Sequence, residues 1–130
     1  MRNNNPLLLS DISSVILIDE ATVEIRIDQD IDFELDDAIR MNQIIQEIGA
    51  SRILYHLTIF GNRTAPSKQA RTYSLSEIGS RFKKAEAIVV QSLSQKMVFN
   101  FMINAEHPSV RTKLFTDRDN ARKWLQSLNV

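Results

Sequence analysis

The sequence predicts a single α/β domain with a mostly parallel sheet, and three observations support this fold class. Short apolar runs of strand length alternate with segments of helical periodicity along the chain. Two β-branched runs near the start, joined by a few polar residues, indicate an antiparallel hairpin. The 130 residues suffice for one core, and they contain no internal repeat or linker. The predicted order is ββαβαβαβα, with four to five strands and flanking helices.

The N-terminal third supplies the hairpin. We expect residues 1–10 to be a flexible segment and residues 11–130 to form the domain. The hairpin strands are predicted at residues 15–18 and 21–27. In the second of these, apolar residues alternate with Glu24 and Arg26, which is typical of a half-exposed strand.

The first helix is predicted over residues 33–48. Asp32 is a suitable N-cap, and the acidic residues that follow it favour the positive end of a helix. Apolar residues then recur at helical spacing until Gly49, which supplies a C-terminal stop.

The remaining two thirds supply three strands and the other helices. The strands are predicted at residues 52–60, 87–90 and 112–115. A short helix is predicted to begin at Ser67, and a second helix is predicted from the capping-box pattern at residues 74–77 to about Lys84. A third is predicted at residues 94–104, and the last one begins after Thr116 or Asp117.

Composition excludes several function classes. The absence of cysteine excludes disulfide scaffolds, thiol catalysis and cysteine-based zinc sites, and it is compatible with the cytoplasm, where we expect the protein. Sixteen Lys and Arg balance sixteen Asp and Glu, which argues against a nucleic-acid partner. No apolar run approaches the roughly 20 residues of a membrane span, so we expect none.

Although the net charge of the chain is zero, its charged residues are unevenly distributed along the sequence. Residues 11–37 hold ten acidic side chains and one basic, whereas residues 52–113 hold ten basic side chains and three acidic. Either the two stretches neutralise each other within the fold, or they steer a charged partner or a second copy.

No recognisable catalytic or metal-binding motif is present. His56 and His107 have no partners at ligand or triad spacing, and the nucleophile elbow and glycine-rich phosphate loop are missing. The acidic run at residues 28–32 starts like a calcium loop, but Phe33 and Ile39 stand where glycine and glutamate are needed. We therefore expect a non-enzymatic protein with no metal and no cofactor.

Residues 60–128 resemble small bacterial proteins of the STAS-like class. The segments that carry the resemblance are Phe60-Gly-Asn-Arg63, Ser67-Lys-Gln-Ala-Arg71, Ala87-Ile-Val-Val-Gln-Ser92, Asn100-Phe101, Pro108-Ser-Val-Arg-Thr-Lys-Leu-Phe115 and Ala121-Arg-Lys-Trp-Leu125. The resemblance implies the fold of the anti-sigma-factor antagonists, which has also been compared with lipid-binding Sec14-like domains, and a regulatory role.

Two departures limit what the resemblance implies. The family's phosphorylatable serine lies in an Asp-Ser-Ser-Gly-like turn, but residues 61–67 here read Gly-Asn-Arg-Thr-Ala-Pro-Ser. Arg111 also stands where similar sequences often have proline. The resemblance therefore leaves open whether Thr64 or Ser67 is phosphorylated, since either hydroxyl could be modified but the family's motif is missing.

The loop after the central strand is the predicted ligand site, because open α/β sheets bind ligands at the carboxyl ends of their strands. Its basic and hydroxyl side chains near a helix start suit an anion or the polar head of a lipid. The predicted binding residues are Asn62, Arg63, Thr64, Ser67 and Arg71. The alternative is a solvated loop in which Ser67 only caps a helix.

The helix at residues 94–104 is apolar nearly all round, which indicates burial on two sides. We predict that Met97, Phe101 and Met102 form an interface with a second subunit or a protein partner. The expected function is therefore a non-enzymatic interaction or regulatory module, homodimeric in solution. The alternatives are a small anionic or lipid ligand held in an apolar pocket along this helix, or a helix packed wholly in the core.

Overall fold

The computed structural model describes residues 7–9 and 13–128. Within these residues the chain forms eight strands and four helices. In chain order they are β1 (Leu7–Leu9), β2 (Ser13–Leu17), β3 (Thr22–Ile27), β4 (Asp32–Phe33), α1 (Leu35–Ile48), β5 (Leu54–Phe60), β6 (Ala65–Pro66), α2 (Lys68–Leu75), β7 (Lys83–Val89), α3 (Leu93–Glu106), β8 (Thr112–Phe115) and α4 (Arg118–Ser127). Apart from β1 and the two-residue strands β4 and β6, this is the predicted order ββαβαβαβα.

The main sheet has six strands in the order β1-β2-β3-β5-β7-β8. The first three pair antiparallel, and β3, β5, β7 and β8 pair parallel through the crossovers that contain α1, α2 and α3. Strands β4 and β6 form a separate parallel pair. Of the predicted flexible segment, residues 1–6 and 10 lie outside the described residues, whereas Leu7–Leu9 forms the edge strand β1.

The sheet separates two apolar layers. One face carries the larger cluster, to which α1, α2 and α3 contribute and in which the rings of Phe60 and Phe99 lie 4.8 Å apart. The other face packs against α4 through Ala121 and Leu125. Because the central strands are covered on both sides, β5 is buried along its whole length.

The prediction that β3 is half-exposed is right for Arg26, whose side chain is 53% exposed, but wrong for Glu24, which is buried beside Arg118 of α4. The Glu24 carboxylate lies 2.6 Å from the Arg118 guanidinium at the start of α4 and 2.8 Å from Arg26. Glu24 is thereby buried with its charge paired, as a buried carboxylate requires.

Helix α1 begins two residues later than predicted, since Asp32 and Phe33 are held in the extended pair β4–β6. Glu34 is the N-cap instead of Asp32, and its backbone N–H donates to the Asp37 carboxylate at 2.9 Å. Gly49 ends the helix, as the sequence predicts.

The predicted helix from residues 74–77 to Lys84 is wrong. The helix in this region is α2, where the Ser67 hydroxyl accepts from the Ala70 N–H at 3.1 Å. Residues 76–82 form turns instead, because Gly79 passes so close to Tyr73 that a Cβ atom there would lie 1.9 Å from the Tyr73 carbonyl oxygen. Strand β7 therefore begins at Lys83 rather than at residue 87.

Candidate functional site

The predicted anion-binding loop follows the carboxyl end of β5, as expected, but much of its polar surface is engaged within the chain. Arg63 forms a bidentate ion pair with Asp30, and this hydrogen bond lowers the pKa of that carboxyl. Thr64 is fully buried: its hydroxyl donates to the Asp28 carbonyl at 2.6 Å and accepts from the Ile31 N–H at 3.1 Å. Thr64 is thus closed to a ligand in this arrangement.

The other three residues of the predicted site differ in their surroundings. Ser67 caps α2, and Asn62 is exposed. Arg71 lies at the wall of a partly open cavity, where its guanidinium donates to the Pro66 carbonyl at 3.0 Å and lies 3.9 Å from the Glu106 carboxylate. Anion binding by this loop stays a prediction.

The cavity lies between the sheet and the three helices on the same face, and its volume is about 60 Å³. Its walls are mainly apolar, and their larger side chains include Ile25, Ile27, Met41, Phe60, Phe99 and Met102. One end is polar, where His56 and Thr58 of β5 lie beside Lys83 and Glu86 of β7.

A β-bulge explains how Lys83 and Glu86 reach the same face of the sheet. In a regular strand, residues three apart point to opposite faces. Here Leu54 pairs with Lys83 but Tyr55 pairs with Ala85, so Lys84 is an extra residue in β7. The inserted residue reverses the alternation and aims both charged side chains at the cavity.

Lys83 and Glu86 form a buried ion pair that is supported by further hydrogen bonds. The Lys83 ammonium lies 2.8 Å from Glu86 Oε1 and donates to the Ser74 carbonyl at 2.7 Å. The Thr58 hydroxyl donates to Glu86 Oε2 at 2.7 Å. Burial alone would raise the pKa of Glu86, but the Lys83 charge and these hydrogen bonds lower it, so the carboxylate is ionised at neutral pH.

His56 completes the polar end and is only 2% exposed. Burial first, and then the nearby Lys83 charge, lower the pKa of His56 from 6.5 to about 4, so the ring is neutral at pH 7. Nε2 lies 3.1 Å from the Phe82 carbonyl, which can only accept, so Nε2 carries the proton. Nδ1 is then an acceptor, and no described residue donates a hydrogen bond to it.

Sequence reasoning missed this cluster. In the sequence, His56 has no partner at ligand or triad spacing, and nothing singles out Thr58, Lys83 or Glu86. One signal was present, because His56 and Thr58 are two residues apart on a strand that is otherwise apolar, which places both on one buried face. The bulge that adds Lys83 and Glu86 has no comparable signature in the sequence.

Helix α3 divides the predicted interface residues between its two faces. Met102 is buried and lines the cavity. Met97 and Phe101 lie on the outer face, 65% and 72% exposed, and Leu93 on the same face is 72% exposed. None of the described helices, α3 included, has the length and apolar character needed to cross a membrane.

Comparisons with known proteins place the chain in a family. A search of curated proteins finds no match. A crystal structure of an uncharacterized protein from the DUF3478 family, with a SpoIIAA-like fold, from Shewanella loihica PV-4, is similar with a TM-score of 0.58. At 16% identity over 96% of this chain and 98% of that chain, the likeness shows the fold alone and confirms the predicted STAS-like architecture. The model of a domain of unknown function, DUF7793, matches residues 16–129, and the chain belongs to that family.

Proposed function

We propose that the chain is a non-enzymatic protein-interaction module that forms a homodimer through the outer face of α3. The observation that carries this proposal is the apolar stripe of Leu93, Met97 and Phe101, each more than half exposed on one helix. Contiguous exposed apolar area of this kind is typical of interaction surfaces. Met and Phe are also enriched at protein interfaces relative to the remaining surface.

A second copy of the chain suits this stripe better than an unrelated partner does. Leu93, Met97 and Phe101 are spaced four residues apart, so Leu93 and Phe101 lie about 6 Å along the axis on either side of Met97. A two-fold axis through Met97 would pack Leu93 of each copy against Phe101 of the other, which is the self-complementary pattern of a symmetric dimer. The stripe itself carries no charge that such an arrangement would bury.

The chemistry of the cavity supports a non-enzymatic role. A general acid or base works best when its pKa lies near the working pH. The pKa values of His56 and Glu86 are instead both lowered, His56 to about 4, so both are weak bases at neutral pH. Glu86 is also held by Lys83 and Thr58, which leaves it poorly placed to take a substrate proton.

The test is the mass of the protein in solution with a charge placed in the stripe. We expect the native chain to have twice its 14.9 kDa monomer mass by light scattering, and Phe101→Asp to be monomeric at the same concentration. Ile53→Asp is the matched control, because Ile53 is 55% exposed but directly precedes β5 and is not part of α3. A native monomer, or a Phe101→Asp protein that stays dimeric, contradicts the proposal.

A further inference from the structure

Strand β8 lies at one end of the main sheet, and its outer side has no strand partner among the described residues. The Arg111 and Phe115 carbonyls accept from N–H groups in or directly after β7, so both carbonyls point towards that strand. Because backbone groups alternate along a strand, the N–H and C=O groups of Thr112 and Leu114 point outward. These four groups form an open edge that can pair with a further strand.

The side chains along this edge are basic on one face of the sheet. Arg111 and Lys113 are both exposed and are two residues apart, so they lie on the same face. It is the face that α4 covers, because Lys113 Nζ lies 5.5 Å from the centre of the Phe115 ring, which packs there. Neither Arg111 nor Lys113 forms an ion pair with a described residue. On the opposite face, Leu114 packs against the larger apolar cluster.

The charge of this edge disfavours pairing with the β8 strand of a second copy. Two such strands paired antiparallel about Lys113 would place the two ammonium groups directly opposite each other. Like charges in that position are destabilising, and lysine on an edge strand commonly protects against such pairing. Carboxylates in the same position would be attracted instead, so the edge is complementary to an acidic strand.

We propose that β8 binds an extended acidic segment of a partner protein, which adds to the main sheet as an antiparallel strand. The backbone of the segment pairs with Thr112 and Leu114, and two acidic residues, separated by one residue, lie opposite Arg111 and Lys113. In this register the acidic residues occupy non-hydrogen-bonded pairs, where opposite side chains are closest. Strand addition to an open sheet edge is a recurring mode of peptide recognition. This surface is separate from the outer face of α3, so the proposal does not rest on dimerisation.

The first experiment titrates the native protein with an acidic peptide and with its basic counterpart at low salt. The acetylated and amidated peptide Thr-Ile-Val-Glu-Thr-Glu-Ser places its glutamates opposite Lys113 and Arg111 when its valine lies opposite Leu114. We expect saturable amide NMR shifts at Thr112 and Leu114, and about tenfold weaker binding when both glutamates are replaced by lysine. No saturable shift at β8, or equal affinities of the two peptides, overturns the proposal. Shifts at β8 that grow with protein concentration without peptide would identify a second copy as the occupant and overturn it too.

Methylation of single peptide nitrogens distinguishes strand pairing from charge attraction alone. In the antiparallel register the N–H of the valine donates to the Leu114 carbonyl, whereas the N–H of the next residue, the glutamate opposite Lys113, points away from β8. We expect N-methylation of the valine to weaken binding about tenfold, because that hydrogen bond is lost. N-methylation of the glutamate should change the affinity little. Equal effects of the two methyl groups overturn the proposed pairing.

A variant of the protein locates the site independently. Lys113→Glu places a like charge opposite the acidic peptide, and we expect about fivefold weaker binding. Lys68→Glu is the matched control, because it makes the same change of charge at an exposed position on α2, and it should bind as the native chain does. Unchanged binding by folded Lys113→Glu overturns the proposal. If that variant does not fold, the comparisons between peptides decide.

Discussion

Acidification is expected to destabilise this fold through His56. The pKa of this histidine is about 4 in the fold, because burial and then the Lys83 charge disfavour the protonated ring, against 6.5 in an exposed setting. The unfolded chain therefore binds the proton more tightly, so the stability that neutral His56 contributes is present above pH 6.5 and is lost as the pH falls towards 4.

The size of this loss of stability follows from the pKa shift of His56. A difference of 2.5 between 6.5 and about 4 corresponds to about 3 kcal/mol in total, of which about 2 kcal/mol is lost between pH 7 and pH 5. Glu86 contributes little in that window, because its pKa is lowered from 4.5 and its linked loss of stability comes at lower pH.

Urea unfolding at pH 7 and pH 5, at one protein concentration, measures this loss. His56→Gln is the control, because its amide can still donate towards the Phe82 carbonyl but does not titrate. The native chain should lose about 2 kcal/mol over this interval and His56→Gln much less. Two results would refute this role of His56. The native chain could have the same free energy of unfolding at both pH values, or His56→Gln could lose as much free energy of unfolding as the native chain does.

Two further perturbations test the packing around the cavity. Lys83→Met leaves Glu86 buried without its partner and should lower the free energy of unfolding by about 3–5 kcal/mol. Combining Lys83→Met with Glu86→Leu should restore much of that lost free energy. Equal losses in the single and double variants, measured by urea unfolding, would argue against a coupled pair. Gly79→Ala should cost about 2 kcal/mol or more, since its Cβ would lie 1.9 Å from the Tyr73 carbonyl oxygen. If Gly79→Ala melted at the same temperature as the native chain, the close approach of Gly79 to Tyr73 would be contradicted.

The element order could be predicted because its signals are local. The apolar spacing of α1, its stop at Gly49 and the continuous apolar run of β5 each depend on residues close in sequence. The N-cap signal of Ser67 is also local, and α2 begins directly after this residue, as predicted.

The predictions that proved wrong depend on contacts between residues that are far apart in the sequence. Glu24 looked exposed because its partner Arg118 is 94 residues away. The capping-box pattern at residues 74–77 was outweighed by the tight approach of Gly79 to Tyr73, which no local propensity contains. The cavity cluster depends on the register of β5 against β7, including its bulge, so the sequence offered only His56 and Thr58 as a sign of it.

The sequence could not divide the apolar residues of α3 between its two faces. Phe101 and Met102 are neighbours in sequence, yet successive helical residues point about 100° apart. One therefore faces outward and the other lines the cavity. The apolar composition identified α3 as unusual, but only the packed structure shows which of its apolar side chains are exposed and which line the cavity.

The chain has no cysteine, so a single introduced thiol can report directly on the proposed dimer. A two-fold axis through Met97 brings the two copies of that residue together, and Met97→Cys under mild oxidation should give a disulfide-linked dimer in high yield. Ile53→Cys, exposed but off α3, supplies the background level. If the dimer forms through α3, the cross-linked fraction of Met97→Cys should lie well above that background. A fraction no greater than that of Ile53→Cys would contradict it.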